Sequence, residues 1–554
     1  MGSWKPWAAA GLSAALLELP FPLAGPLPPW RTIFAWFGLV PLLWALLSPH
    51  SVDRPRPLRR AFLLSYVCGV LWYIGNCYWI RDVMMQYGDM PPLAPTLLLV
   101  GYSLVLGLYF GLFGLALALV QRATGSTRIA LAAAPIFWTG LELAAARITS
   151  VPWDQLGYSQ VDNSFVNQLA PWTGVYGISF LIVVVNALIA AGIVLERSAY
   201  KRRYGIGGVV LALAYSANIF IEPPRPAATA TAVLIQPNLD VAGSGLWTGP
   251  AEWDRHIADF TRLAGECAAA HKTYIVGIPQ TGASTGEIVC PPYSTHPDLI
   301  AWPESPAPFF EDDARFQKAL IDLAHATQAP IVVGNIGMDY TAENGGWREF
   351  NSALVVSAAG QRVGRYDKIH LVPFGEYVPF SRLLFFARKL TGKVSRFDRG
   401  EDRKIFRIVN ANGVSHRYGV FICYEAVFAD EVRHFAQLGA EVLVNISDDG
   451  WYGDTSAPWQ HLNMARMRAI ENRRWLLRDT NNGITAAIDP YGRVRQSIPR
   501  HQADALPAQY GFRDDITFYT AHGDLFAWLC AIAALGITGW SGRKLLLAKI
   551  NQVG

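Results

Sequence analysis

Three short segments carry side chains able to do chemistry. Residues 299–305 read Leu-Ile-Ala-Trp-Pro-Glu-Ser, a short apolar run that stops at the carboxylate of Glu304. Residues 365–376 place Lys368 between Asp367 and Ile369 and end at Glu376. Residues 421–425, Phe-Ile-Cys-Tyr-Glu, read as a buried strand ending in a cysteine. Acid, amine and thiol are what acyl transfer needs: a base for the thiol proton, a nucleophile, and a cation for the developing oxyanion. Each piece alone has a plainer reading. A lone Cys after an apolar strand is usually packed in a core, a Glu before a Pro-rich turn is a surface cap, and a Lys beside an Asp is solvated. In the order Glu304, Lys368, Cys423, spaced by 64 and 55 residues, they are specific.

The elements that must position them form an alternating series. Strand signals fall at 231–235, 331–334, 352–356, 418–422 and 441–444, and helical signals at 250–270, 316–328 and 459–472. Strands alternating with helices predict an α/β sandwich, and the stretch suits one domain of roughly 290 residues.

The rest of the chain is different in kind. Charged residues make up 16% of the 554, against roughly 25% in soluble domains, while apolar residues reach 52% with 19 tryptophans. A chain so poor in charge cannot keep all its surface in water, which excludes an ordinary soluble protein and excludes disorder. A net charge of +4 over this length gives no case for a nucleic-acid partner. The six cysteines form no CxxC or zinc spacing, which excludes a disulfide-stapled mini-protein and argues against a structural metal site. There is no nucleotide loop and no cofactor motif, so none is expected.

Apolar stretches at about 7–24, 30–47, 61–79, 95–120, 129–146, 175–195 and 206–221 are long enough to be membrane helices, and an eighth spans about 525–540. Basic residues cluster after the second, fourth and sixth: Arg54, Arg56, Arg59 and Arg60; Arg122 and Arg128; Arg197, Lys201, Arg202 and Arg203. The positive-inside rule then predicts eight spans, both termini cytoplasmic and the polar domain outside the cytoplasm. The expected domains are a seven-helix bundle at 1–223, the α/β domain at 224–520, and a last span with a tail at 521–554. Glu18 and Glu142 fall inside spans; the expected role is structural, such as Glu142 pairing with Arg147.

The phrase Gly364-Arg365-Tyr366-Asp367-Lys368, with Glu304 and Cys423, resembles the nitrilase (carbon–nitrogen hydrolase) superfamily, which implies a Glu-Lys-Cys triad on an αββα sandwich. Further motifs narrow the resemblance: KIHLVPFGEYVP at 368–379, CYE at 423–425, DGWYG at 449–453, PWQH at 458–461, MARMRA at 464–469 and TNNGIT at 480–485. Pro152-Trp153 and Leu156-Gly157-Tyr158-Ser159-Gln160 add to it. This set is similar to the apolipoprotein N-acyltransferase family over nearly the whole chain. Two features differ: an extra stretch at 278–297, and Asp448-Asp449-Gly450-Trp451 where Asn-Asp-Ala-Trp is usual.

The resemblance implies an enzyme of the cytoplasmic (inner) membrane with its catalytic domain on the periplasmic side. Cys423 would take an acyl chain from a phosphatidylethanolamine-like phospholipid and pass it to the α-amine of a diacylglyceryl-cysteine at an apolipoprotein's N-terminus. Glu304 would act as base, and Lys368 with the Tyr424 N–H as oxyanion donors. Glu376 and Glu425 would hold Lys368 and the strand end, and a substrate-contacting tryptophan would be Trp247, with Trp253 as the alternative. Residues 380–390, aromatic and aliphatic with Arg382, Arg388 and Lys389, read either as an interfacial arm or as a core helix. Cys267 and Cys290 would face the oxidising side, where a bridge can persist; Cys68, Cys77 and Cys530 lie in spans as packing residues. The rival enzyme is a membrane-tethered nitrilase-type amidase; a transporter or receptor with a binding-only domain is the other class.

Overall fold

The computed structural model describes residues 4–48, 57–88, 90–195, 201–217, 223–241, 250–266, 274–275, 285–286, 296–304, 309–341, 346–373, 375–377, 397–409 and 413–553. Trp247, Cys267, Cys290, the segment 380–390 and most of the stretch 278–297 lie outside them. The chain divides into two compact units. One comprises Met1–Asp82, Pro91–Pro223 and His522–Gly554; the other comprises Val83–Met90 and Pro224–Ala521.

The second unit is built on strands β1 (Ala230–Gln236), β2 (Tyr274–Ile275), β3 (Thr285–Gly286), β4 (Leu299–Trp302), β5 (Ile331–Thr341), β6 (Gly346–Val356), β7 (Arg362–Asp367), β8 (Ile405–Val409), β9 (Ser415–Ile422), β10 (Val442–Ser447), β11 (Trp475–Thr480), β12 (Thr485–Ile488), β13 (Val494–Ile498) and β14 (Asp504–Tyr510). They form a six-stranded sheet, β14-β1-β4-β5-β6-β7, and an eight-stranded sheet, β3-β2-β13-β12-β11-β10-β9-β8. Helices Pro250–Glu266 and Ala314–Thr327 pack on the first sheet, and Ala429–Gln437 and Ala457–Asn472 on the second. The result is a helix–sheet–sheet–helix sandwich whose inner faces share one apolar core.

The core strands β4, β9 and β10 are buried along their inner ends, as strands covered on both faces must be. β4 runs parallel to β1 and β5, and β10 parallel to β9 and β11. Their carboxyl ends are where an α/β sheet presents functional groups. Glu304 follows β4 by two residues, Cys423 follows β9 directly, and Asp448 follows β10 directly. Lys368 follows β7, and its N–H continues the β6–β7 pairing by donating to the Asn351 carbonyl at 2.9 Å.

The first unit is helical. Helices or helical stretches Pro29–Leu47, Leu93–Thr124, Thr127–Ile148, Val175–Val194 and Leu525–Asn551 are long and apolar enough to cross a membrane. Pro57–Asn76 with Trp79–Gln86, bent by 43°, makes a sixth if the pair is one span. Of the other two expected spans, the first takes the form of the 14-residue helix Lys5–Glu18 and the seventh that of the 17-residue helix Lys201–Ala217. Among the described residues both are shorter than the roughly 20 residues of a straight crossing. Leu97, Leu104, Leu108 and Leu112 stand exposed along Leu93–Thr124, an apolar face that water would not favour.

A neighbouring face of that helix lies against Pro57–Asn76. A Cβ at Gly107 would sit 2.6 Å from Val70 Cγ2, one at Gly111 2.7 Å from Phe62 Cε2, and one at Gly114 2.1 Å from Ser65 Oγ. Small residues at this spacing let two helix backbones approach where no hydrophobic drive separates helix from solvent. Glu142 does not pair with Arg147 as expected. Its Oε1 accepts from Trp138 Nε1 and from the Leu156 N–H, both at 2.9 Å, while Arg147 pairs with Asp524 at 2.5 Å. The chain turns after Ile148, which brings the Leu156 amide back over Glu142 and leaves Arg147 on another side of the helix. Gly114→Leu should wedge the helix pair apart and cost about 1–3 kcal/mol, read as a lowered unfolding temperature in detergent, whereas Leu at the open Gly101 should leave it unchanged.

Candidate active site

The site is assembled around one buried ammonium. Lys368 Nζ donates to Glu304 Oε1 and to Glu376 Oε1, each at 2.9 Å. Asn351, on β6, sends its Nδ2 to the same two oxygens at 2.7 and 2.6 Å. The outer oxygens are held by backbone: Glu304 Oε2 accepts from the Asp448 N–H at 2.9 Å, and Glu376 Oε2 from the Val372 N–H at 2.7 Å. Every oxygen of both carboxylates therefore has a donor, as buried charge requires.

Burial works against ionisation of Lys368, but Glu304 and Glu376 outweigh it and hold the ammonium well above its ordinary pKa. Burial likewise pushes the Glu304 carboxyl up, while the charge and hydrogen bond of Lys368, the Cys423 thiol and Asn351 bring it below the usual carboxylate range. The Cys423 thiol is a neighbour of Glu304, Lys368 and Ser447, each of which acts on its ionisation. Burial first, and then the Glu304 charge, raise its pKa well above that of a free cysteine, with Lys368 pulling the other way. The resting site thus holds an ionised carboxylate, an ammonium and a neutral thiol.

Cys423 sits where an extended strand breaks into a tight 3-10 turn, Cys423–Val427, and has φ of 49°. A non-glycine residue in the left-handed region costs of order 1–3 kcal/mol and is held only where its surroundings over-determine it. The Glu425 carboxylate supplies much of that hold. Its Oε2 accepts from the Ile422 N–H at 2.7 Å, and its Oε1 from Tyr366 Oη and the Ile369 and His370 amides at 2.8, 2.7 and 3.1 Å. It ties the cysteine turn to the lysine segment, although burial raises its pKa against those donors. Tyr424 is half-buried, its ring edge-on to Phe428 at 5.2 Å.

The structure thus brings Glu304, Lys368, Cys423, Glu376 and Glu425 together and sets Tyr424 next to the thiol; Trp247 lies outside the described residues. Trp253 packs near Phe310, with the Arg315 guanidinium 5.4 Å above its ring. Sequence reasoning passed over Asn351 and gave no role to a buried set behind the thiol, Asp449, His461 and Arg478, all fully enclosed, although Asp449 and His461 stand in the motifs at 449–453 and 458–461. Arg478 Nη2 donates to both Asp449 oxygens at 2.9 and 2.7 Å, and Ser447 Oγ adds a bond at 3.0 Å. Burial pushes Asp449 up, but Arg478 and His461 outweigh it and keep the carboxylate ionised. The signal for these residues was polar side chains inside apolar runs, Asn351 before Ser-Ala-Leu-Val-Val and Arg478 after Trp-Leu-Leu. Among the described residues no three His, Cys, Asp or Glu side chains gather as metal ligands.

A sandwich of this form with these strand ends is that of the carbon–nitrogen hydrolases, and the sequence model of that superfamily matches residues 262–508. The model of the apolipoprotein N-acyltransferase N-terminal domain matches residues 13–188. The chain belongs to the apolipoprotein N-acyltransferase family. A protein of that name from Geobacter metallireducens is 34% identical over 97% of this chain and 95% of its own length. Another from Chlorobaculum tepidum is 28% identical over 97% and 95%, and one from Allorhizobium ampelinum 30% identical over 88% and 87%.

The cluster makes a prediction about pH. With its folded pKa depressed, Glu304 contributes stability that is full above about pH 4.5 and fades as the pH falls further. Lys368→Met leaves Glu304 buried beside Glu376 with no ammonium, so its folded pKa should rise above the unfolded value and the sign reverses. The variant should be less stable than wild type by about 3 kcal/mol at pH 8, and should recover part of that loss near pH 5. Thermal unfolding of both proteins across this range checks it; parallel curves would contradict it.

Proposed function

We propose that this chain is a membrane acyltransferase acting on lipoproteins with phospholipid as donor, and that Cys423 carries the acyl group between them. The observation that carries this reading is the thiol within reach of an ionised, fully hydrogen-bonded Glu304, beside a Lys368 kept charged. Cys423 Sγ attacks an acyl ester carbonyl, the sn-1 ester of a phosphatidylethanolamine-like lipid, as its proton passes to Glu304. The tetrahedral oxyanion is met by the Lys368 ammonium and the Tyr424 N–H. Collapse breaks the ester C–O bond, and Glu304 returns the proton to the departing lysophospholipid oxygen, leaving a thioester. The neutral α-amine of a diacylglyceryl-cysteine then attacks the thioester carbonyl as Glu304 takes one amine proton; collapse breaks the C–S bond, and Glu304 returns the proton to the departing Cys423 sulfur, leaving the N-acyl product and the resting thiol.

The proton shuttle conserves the charge of the cluster. Before transfer the Glu304 carboxylate and a neutral thiol face the ammonium; after it, a neutral carboxyl and a thiolate face the same ammonium. No step adds net charge to a buried site, which is why a thiol with a raised pKa can still react. Glu376 and Glu425 position Lys368 and the cysteine turn, and Trp247 contacts substrate.

The membrane part of the reading has eight spans, seven in 1–223 and one in 521–554, with the catalytic domain at 224–520 between them. Both termini are cytoplasmic, and the catalytic domain lies on the periplasmic side of the inner membrane. The alternation of basic loops and the family membership support it.

The test is a lipid assay on the full chain in mixed micelles of phosphatidylethanolamine and a diacylglyceryl-cysteinyl peptide. Lysophospholipid and N-acyl peptide should appear in equal amounts, with parallel double-reciprocal lines for the two substrates. Glu304→Gln should cut turnover by about a hundredfold or more. Ammonia released from a soluble amide, without peptide acylation, would mark the amidase instead.

A further inference from the structure

His461, on the helix Ala457–Asn472, is completely buried and makes no contact that the reaction above uses. Its Nε2 lies 3.0 Å from the carbonyl oxygen of Cys423, and its Nδ1 lies 3.0 Å from Asp449 Oδ1 and 3.0 Å from Arg478 Nη2. A carbonyl oxygen only accepts, so Nε2 carries a proton in either charge state of the ring. Asp449 already has donors from Arg478 and Ser447, and a guanidinium only donates. Nδ1 lies between the two: protonated it donates to Asp449 Oδ1, unprotonated it accepts from Arg478 Nη2, and in both cases Nε2–H faces the Cys423 carbonyl.

The bond to Cys423 O has a consequence for the next amide. In a trans peptide the carbonyl and the following N–H point in opposite directions across one rigid plane. Holding the Cys423 carbonyl toward His461 aims the Tyr424 N–H the other way. Cys423 itself stands at left-handed φ, so its surroundings and not local preference fix the backbone here. Rotation by half a turn would replace a donor with a carbonyl oxygen at the place where an oxyanion must be held.

We infer that His461, fixed by Asp449 and Arg478, is a positioning residue that locks the Cys423–Tyr424 peptide with its N–H facing the oxyanion. This rests on the reading of Cys423 as the nucleophile and of the Tyr424 amide as an oxyanion donor. The role is separable from thiol activation, because alkylation by iodoacetamide uses the same sulfur and forms no oxyanion.

The experiment compares two rates on the full chain in detergent at one pH: acylation of Cys423 by phosphatidylethanolamine in mixed micelles, read as the lysophospholipid burst, and its alkylation by iodoacetamide. His461→Leu should lower acylation by about 10²–10³-fold, the loss expected of one oxyanion donor, with alkylation within about twofold of wild type. His461→Gln, which keeps an N–H at the distal position, should recover at least tenfold of the loss. If the Leu variant does not fold, His461→Asn, which is too short to reach the carbonyl, takes its place. Acylation and alkylation falling together, or acylation within fivefold of wild type, would overturn the assignment of His461 alone. A wild type that shows no burst while Cys423 alkylates normally would overturn the nucleophile reading beneath it.

Discussion

Everything at this site depends on one ammonium buried between two carboxylates. A lysine with almost no exposure is costly to ionise, and two carboxylates in the same enclosure are costlier still. Together, with Asn351 bridging the same oxygens and backbone amides on the outer ones, they form a set in which each charge justifies the next. The thiol is a guest of that set. Its proton has one ionised acceptor in reach, and the ammonium is in place before any negative charge develops.

The fold is what makes the set affordable. Carboxyl ends of parallel strands in two facing sheets deliver Glu304 from one side and Cys423 and Asp448 from the other. Glu425 then bonds the cysteine turn to the backbone of 369–370, so the two sheets are joined at the point where the chemistry must be aligned. An exposed apolar helical unit in the same chain fits substrates that are themselves lipids, which a soluble amidase has no need to approach.

Much of this was legible in the residues. Strands at 231–235, 331–334, 352–356, 418–422 and 441–444 lie within β1, β5, β6, β9 and, but for one residue, β10, because their apolar β-branched runs match burial on both faces. The strands β11 to β14 went unread. Their inner positions include Arg478, Asp479, Gln496 and Ser497, buried polar groups whose partners come from distant segments. For the same reason Asn351 and the pairing of Asp449, His461 and Arg478 went unread, although motifs at 449–453 and 458–461 held two of the three: their meaning lies in three-dimensional pairing, and local pattern carries only the hint of a polar residue where an apolar one is expected. The pairing of Glu142 failed similarly. Sequence nearness favoured Arg147, but a turn in the chain brought the Leu156 amide closer.

The central claim is that sulfur, ammonium and carboxylate act on one carbonyl. It is tested most directly by intact-mass analysis of the full chain after exposure to phospholipid without any acceptor amine. The account predicts one fatty acyl mass added to the wild type, mapped to Cys423 and released by hydroxylamine at neutral pH as a thioester should be. Cys423→Ser should carry no such hydroxylamine-labile group. An unmodified wild type under conditions where it acylates peptide at full rate would contradict it, because the acyl chain would then pass to the amine without ever resting on the thiol.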